Sequence, residues 1–233
     1  MKISYTLLFL LFVHTAFCQK TDNTLTKAEQ KQGWILLFDG KTTSGWTTPQ
    51  GKPVPKGWQV TDGLLSTKSG DRAGDIVTEN EYGNFILSLD FNIEKTCNSG
   101  VKYFYAKYAT GGNLGFEYQI LDDAEAEDNK KDNHLCGSFY DVMAPDKAAK
   151  RVNPPGQWNT IKIVCKGKSV EHWLNGKRIL KFTRGDEAFL NTVEKSKFNK
   201  TAPAFGSFDK GKILLQEHGG TASFKNIKLL ILK

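Results

Sequence analysis

Gly115-Phe116-Glu117-Tyr118-Gln119-Ile120-Leu121-Asp122-Asp123 decides the fold class of this 233-residue chain. Successive side chains of a strand point to opposite faces. As a strand, the stretch puts Phe116, Tyr118 and Ile120 on an apolar face and Glu117 with Gln119 on the other. A core on one side and a carboxylate beside an amide on the other suits a polyhydroxylated ligand. By itself the stretch reads first as an ordinary strand with a solvated outer face. Recurrence of the pattern along the chain shifts that balance.

The pattern does recur. Phe85, Leu87, Leu89, Phe91 and Ile93 alternate with Ser88, Asp90, Asn92 and Glu94, a half-buried period of two. Further strands are expected over 34–38, 57–60, 64–67, 100–106, 116–121, 159–166, 169–174, 177–182, 213–217 and 223–230. Asn175-Gly176 between two such runs is the strongest hairpin signal in the chain. Helices are expected at only two places. Thr26-Lys27-Ala28-Glu29 is a capping box opening a short helix over 26–32, with Gly33 placed to end it. A second helix is expected over 187–197, where Phe189 and Val193 mark an apolar stripe. Asp186 and Glu187 at its start and Lys195 and Lys197 at its end match the helix dipole. Many short strands with Gly- and Asn-rich turns predict an all-β sandwich of two antiparallel sheets.

Lys2 followed by Leu7-Leu8-Phe9-Leu10-Leu11-Phe12-Val13 has the basic start and short apolar core of a secretory signal. The expected cut follows Cys18, giving a signal peptide over 1–18 and one domain over 19–233. The run is too short to span a bilayer, and no later stretch is long and apolar enough for a transmembrane segment. A lipid anchor at Cys18 is disfavoured by the bulky Phe17 before it. The protein is therefore expected to be exported, periplasmic or extracellular. Removing Lys2 leaves 31 basic against 25 acidic residues, a net charge of +6. The lysines are scattered and no Arg-rich stripe occurs, so no nucleic-acid partner is expected.

Three cysteines remain after that cut. Cys165 shares a face with Ile161 and Ile163 and reads as a buried free thiol. Cys97 and Cys136 lie in loop-like contexts and are candidates to pair in an oxidising compartment. No Cys/His spacing suggests zinc, and no cofactor motif is present. The acidic run Asp122, Asp123, Glu125, Glu127 and Asp128 is a candidate for a divalent cation, although a solvated loop is the stronger reading.

Other segments put polar groups on a strand face. Gln216 and His218 share a face opposite Leu215 and Glu217; Glu171 and Trp173 share one opposite His172. A tryptophan on a polar face is a platform for sugar C–H groups, and a core tryptophan is about as common. Asn98 and Lys102 frame a strand opening, and His134 precedes Cys136-Gly137-Ser138-Phe139-Tyr140-Asp141.

The chain resembles the 3-keto-disaccharide hydrolase domain family. The resemblance runs in order through Gly33-Trp34-Ile35-Leu36-Leu37-Phe38-Asp39-Gly40, Gly45-Trp46, Trp58 to Gly63 and Tyr82-Gly83-Asn84-Phe85. It continues through Asn98-Ser99-Gly100-Val101, Glu117-Tyr118-Gln119-Ile120-Leu121-Asp122, Tyr140-Asp141 and Gly156-Gln157-Trp158-Asn159. It closes with Glu171-His172-Trp173-Leu174-Asn175-Gly176, Leu215-Gln216-Glu217-His218-Gly219 and Phe224-Lys225-Asn226-Ile227. The chain departs from the family pattern at Ala126, near where members carry a histidine, and at Lys225, where arginine is usual.

The resemblance implies a concanavalin A-like jelly roll and a small carbohydrate substrate, a glycoside already oxidised to a ketone at the sugar's third carbon. That ketone acidifies the hydrogen on the second carbon; a base removes it, the anomeric substituent leaves, and water adds. The route needs a base, donors for the enolate oxygen and an acid. Glu117, His218 and His134 are the candidates for proton transfer, and Asn98, Lys102, Gln119, Tyr140, Trp173 and Gln216 for substrate binding. Cys97 and Cys136 are expected close enough for a disulfide, since both flank motifs that the resemblance places at the site. A retaining glycosidase needs two nearby carboxylates, and the Glu117 face lacks the second. A non-catalytic sugar-binding sandwich is the rival of a different class.

Overall fold

The computed structural model describes residues 21–109, 112–201 and 204–233. The expected signal peptide and its cut after Cys18 lie outside the described residues. Two antiparallel sheets pack face to face. The larger holds β1 (Trp34–Leu36), β3 (Trp58–Thr61), β4 (Leu64–Thr67), β6 (Phe85–Ile93), β9 (Asn159–Lys166), β10 (Ser169–Leu174), β11 (Lys177–Thr183) and β13 (Ala222–Ile231). The smaller holds β2 (Trp46–Thr47), β5 (Ile76–Tyr82), β7 (Asn98–Tyr108), β8 (Gly112–Leu121) and β12 (Gly211–Gln216). Strand order is β11-β10-β9-β6-β13-β4-β3 in the first, with β1 also on β13, and β2-β5-β12-β7-β8 in the second.

Period-two patterning sets what faces the middle. Phe85, Leu87, Leu89 and Phe91 of β6 are fully buried against Val101 and Tyr103 of β7 and Phe116, Tyr118 and Ile120 of β8. Each such side chain contributes about 1.5–3 kcal/mol through removal from water. β7 breaks its own alternation at Phe104, whose φ of 51° accompanies a register shift between Tyr103 and Ala106. Consecutive rings, Tyr103 and Phe104, therefore both enter the core, which simple alternation over 100–106 does not anticipate.

β5 and β2 are strands that the pattern did not reveal. Ile76, Val77 and Thr78 are all buried and Glu79, Asn80 and Glu81 all exposed, so β5 shows no alternation to read. The Asn175-Gly176 hairpin forms as expected, with φ of 47° and 80° at its two turn residues.

Helix α1 (Lys27–Gln32) carries the anticipated box: Glu29 N–H donates to Thr26 Oγ1, and Thr26 N–H donates to Glu29 Oε2. The single helix expected over 187–197 is instead two, α2 (Glu187–Glu194) and α3 (Lys197–Thr201). Ser196 makes the break: its hydroxyl donates to Val193 O and accepts from Phe198 N–H, replacing backbone continuity.

The N-terminal segment is clasped to β13. Asn23 N–H donates to Asn226 Oδ1, and Asn226 N–H donates to Asn23 Oδ1. Glu29 pairs with Lys228, and that bond is the main cause holding the Glu29 carboxyl down at about 2.

Cys97, Cys136 and Cys165 are all buried free thiols, so the expected Cys97–Cys136 bridge does not form. β8 runs between the two segments. Asp122 N–H donates to Cys97 O on one side, and Gly137 N–H donates to Gln119 O on the other. Two strand spacings amount to roughly 9–10 Å, beyond the reach of a disulfide.

Candidate active site

The outer face of the five-stranded sheet is built from alternate residues of β7, β8 and β12. Ser99, Val101 and Tyr103 face the core, so Asn98, Gly100 and Lys102 face outward; Glu117 and Gln119 do so on β8. Register then sets rows. Lys102 is paired with Glu117, and Gly100 lies between Gln119 and Gln216. Glu117 and Gln119 are both buried rather than solvated. The segment after Cys136 borders β8, with Tyr140 N–H donating to Glu117 O.

Lys102 Nζ lies 3.5 Å from Glu117 Oε2. Burial alone would lower the lysine's pKa, but Glu117 and Asp75 outweigh it and hold Lys102 above its ordinary range. The lysine is a fixed positive charge on this face. Gln119 Nε2 donates to Asn98 Oδ1 at 3.0 Å. The amide oxygens of Gln119 and Gln216 are buried and without a hydrogen-bond partner among the described residues. A side-chain carbon at Gly100 would stand 3.0 Å from Glu117 Oε1 and 3.3 Å from Gln216 Oε1, so glycine there lets both groups approach the sheet.

Beside these rows lies a cavity of about 740 Å³ whose walls include Arg72, Asn98, Asp128, Tyr140 and His218. Its lining is mostly polar, and the rings of Tyr140 and His218 both reach it. Glu117, Lys102, Gln119 and Gln216 adjoin this cavity through Asn98 and Tyr140 without lining it.

His134 is buried and both its nitrogens are engaged, Nδ1 with Asp128 Oδ1 at 2.7 Å and Nε2 with Asp141 Oδ1 at 2.9 Å. Its ring lies against Tyr140, whose hydroxyl donates to Asp128 Oδ2. Burial, then Asp128, push the Tyr140 phenol upward. His134 thus has no nitrogen left for a substrate; it positions Asp128 and Tyr140 on the wall. Lys197, read from sequence only as a helix-end charge, places its ammonium 4.2 Å from the Tyr140 ring centre.

His218 is exposed at the lip, just past the end of β12. Trp173 does not join this face. It lies on the outer side of the larger sheet, donating to Glu171 Oε2 at 2.9 Å beneath the Lys162 ammonium. Its neighbour His172 points inward instead, to Tyr103. The alternation holds there, but which sheet the strand joins is not visible in its pattern.

The acidic run is spent on the fold. Asp122 accepts from Thr96 and Ala124 N–H, Asp123 accepts from Cys136 N–H and pairs with Lys150, and Glu125 pairs with Lys95. Among the described residues no group of three or more His, Cys, Asp or Glu is placed to hold a metal ion.

Asp75, like β5, is not among the residues that alternation marks. It directly precedes β5, and Oδ1 accepts the Glu217 N–H at 3.0 Å. Burial raises its pKa against the opposing pull of that bond and of Lys102. Glu217 itself accepts from Gly74 and Gly219 N–H, tying the loop before Asp75 to the turn after His218. A carboxylate between Gly74 and the apolar Ile76-Val77 pair is the signal that could have found it.

A family model described as a 3-keto-alpha-glucoside-1,2-lyase-like domain matches residues 33–230. The chain is 28% identical over 231 residues to a 3-keto-disaccharide hydrolase of Bacteroides thetaiotaomicron, covering 86% of this chain and 79% of that protein. A candidate glycosyl hydrolase from Parabacteroides distasonis superposes with a TM-score of 0.81 at 35% identity, covering 91% of this chain and 100% of that one. A second from the same organism gives 0.66 at 29%, covering 85% and 99%.

Proposed function

The chain belongs to the 3-keto-alpha-glucoside-1,2-lyase-like domain family, and from that premise we propose that it cleaves glycosides carrying a ketone at the third carbon of the sugar. The observation that carries the reading is the Lys102–Glu117 pair, an ammonium beside a buried carboxylate on a sheet face that adjoins a large polar cavity.

Glu117 takes the hydrogen from the second carbon. The electron pair moves onto the ketone oxygen, and Lys102 supplies the positive charge that stabilises it. Such a charge is effective because it is fixed in advance in a partly desolvated site. The unpartnered oxygens of Gln119 and Gln216 accept sugar hydroxyls, restoring the hydrogen bonds they lack. Departure of the anomeric substituent leaves an unsaturated ketone, to which water adds, completing a net hydrolysis. The basic start and apolar core of residues 1–18 support action in the periplasm or outside the cell.

The test is release of the aglycone from a 3-keto-glucoside and from its unoxidised parent. The ketone alone makes elimination accessible, so the expected result is turnover of the first and none of the second. Equal turnover of both, or incorporation of no solvent deuterium at the second carbon of the product, would overturn the reading. Binding of either sugar without turnover would favour a sugar-binding module.

A further inference from the structure

We propose that Asp75 is the acid that protonates the departing glycosidic oxygen, working opposite Glu117 across Lys102. This rests on the 3-keto-glycoside reading above and deepens it.

Elimination needs a second proton-transfer group besides Glu117, and the other candidates fail on geometry. Both nitrogens of His134 are held by carboxylates. The Tyr140 hydroxyl is already donated to Asp128. His218 is exposed and makes no hydrogen bond among the described residues, so nothing fixes its ring.

Asp75 is fixed. Leu215 pairs with Ile76, which puts Asp75 beside Gln216 at the end of the row running from Gln119 through Gly100. Oδ1 is taken by the Glu217 N–H, while Oδ2 makes no hydrogen bond among the described residues and can carry a proton. The loop on either side is held by the Glu217 carboxylate through Gly74 and Gly219. Gly74, Glu217 and His218 line a smaller pocket of about 230 Å³, which shares Arg72 and His218 with the large cavity. Asp75 lines neither space itself; it stands directly behind Gly74 and Glu217 on the wall of the smaller pocket, next to where the two spaces meet and an aglycone would leave. The charged and titratable groups acting on it are Lys102, Glu217, His218 and Tyr105, and burial is the largest influence, favouring the protonated carboxyl.

The steps balance. Glu117 receives the hydrogen of the second carbon; the bond from the anomeric carbon to oxygen breaks with its electron pair on oxygen, which takes the Asp75 proton. Water then adds its hydroxyl to the anomeric carbon and gives its remaining proton to Asp75, while Glu117, its carboxyl proton exchanged with solvent in the meantime, protonates the second carbon.

The experiment compares two 3-keto-glucosides, one with a nitrophenyl and one with a methyl aglycone, in wild type and Asp75→Asn. A nitrophenolate leaves without protonation and a methoxide does not. The expected result is a loss in kcat/KM of about 10²–10⁴-fold on the methyl glycoside, little change on the nitrophenyl one, and retained solvent exchange at the second carbon. Equal losses on both, loss of exchange, or full activity on the methyl glycoside would overturn the assignment. Should Asp75→Asn fail to fold, the wild-type pH profiles decide: an alkaline limb with the methyl glycoside that is absent with the nitrophenyl one supports Asp75, and superposable profiles refute it. Wild type that turns over neither ketone overturns the parent reading and this assignment with it; wild type active with an indiscriminate Asp75→Asn overturns the assignment alone.

Discussion

Lys102 and Glu117 are register partners on adjacent strands whose charged ends meet 3.5 Å apart on the outer face of the smaller sheet. Neither charge is well solvated, so each depends on the other. Removing one partner of such a pair is costlier than removing both, because it leaves an uncompensated charge.

Lys102→Met should therefore destabilise the protein by on the order of 3 kcal/mol, and Glu117→Gln by less, since an amide tolerates burial. The Glu117→Gln/Lys102→Met double variant should regain most of that stability. All three should lose about 10²–10⁴-fold in kcat on a 3-keto-glucoside. Denaturant melts and turnover measured on the same preparations check it; a double variant less stable than Lys102→Met would contradict the pairing.

Gly100→Ala should cost activity out of proportion to stability. The added carbon would press on Glu117 Oε1 and Gln216 Oε1 together. Displacements of a fraction of an ångström in a reacting group suffice for about tenfold in kcat. An alanine variant with wild-type kcat would show that neither group needs its present position.

His172 predicts a pH dependence of stability. Nδ1 faces Gly137 O at 3.0 Å and a carbonyl can only accept, so Nδ1 carries the hydrogen and Nε2 accepts from Tyr103 Oη at 2.8 Å. Burial lowers its pKa to about 4, against about 6.5 in an unfolded chain. The unfolded state thus binds the proton more readily. The contribution is complete above about pH 6.5 and is lost as pH falls towards 4, up to about 3 kcal/mol. A His172 ring resonance already titrating near pH 6.5 in the folded protein would refute this.

Alkylation without reduction should modify Cys97, Cys136 and Cys165 in the unfolded protein and leave the native one almost untouched. Burial pushes the Cys97 and Cys136 thiols up to about 12, which removes the reactive thiolate. Detection of a single modified cysteine after unfolding would restore the bridge.

Much of this molecule is legible in its sequence because period-two alternation reports burial directly. β6, β8 and β9 through β11 follow from it, as do the capping box at Thr26 and the Asn175-Gly176 turn. What alternation cannot report is which sheet a strand joins. Glu117, Gln119, Lys102, Asn98 and Gln216 reach one face, whereas Trp173, carried by an equally good pattern, lies across the sandwich. Nor does alternation find a strand whose first half is buried on both faces and whose second half is exposed on both: β5 is invisible to it, and Asp75 with it. Lys197 escaped because the break at Ser196, which starts a new helix there, depends on a hydroxyl competing with the backbone.

β13 lies in the interior of the larger sheet, with β6 on one side and β4 and β1 on the other, and its Asn226 holds Asn23. Until residues 222–231 have been synthesised, β6 and β4 have no strand between them and the N-terminal clasp has nothing to grip. The nascent polypeptide can form hairpins such as β10–β11 but cannot close its larger sheet. Such dependence on distant pairing makes folding slow. The strands before β13 therefore hold their places in the larger sheet only once the last strand in chain order has slotted between them.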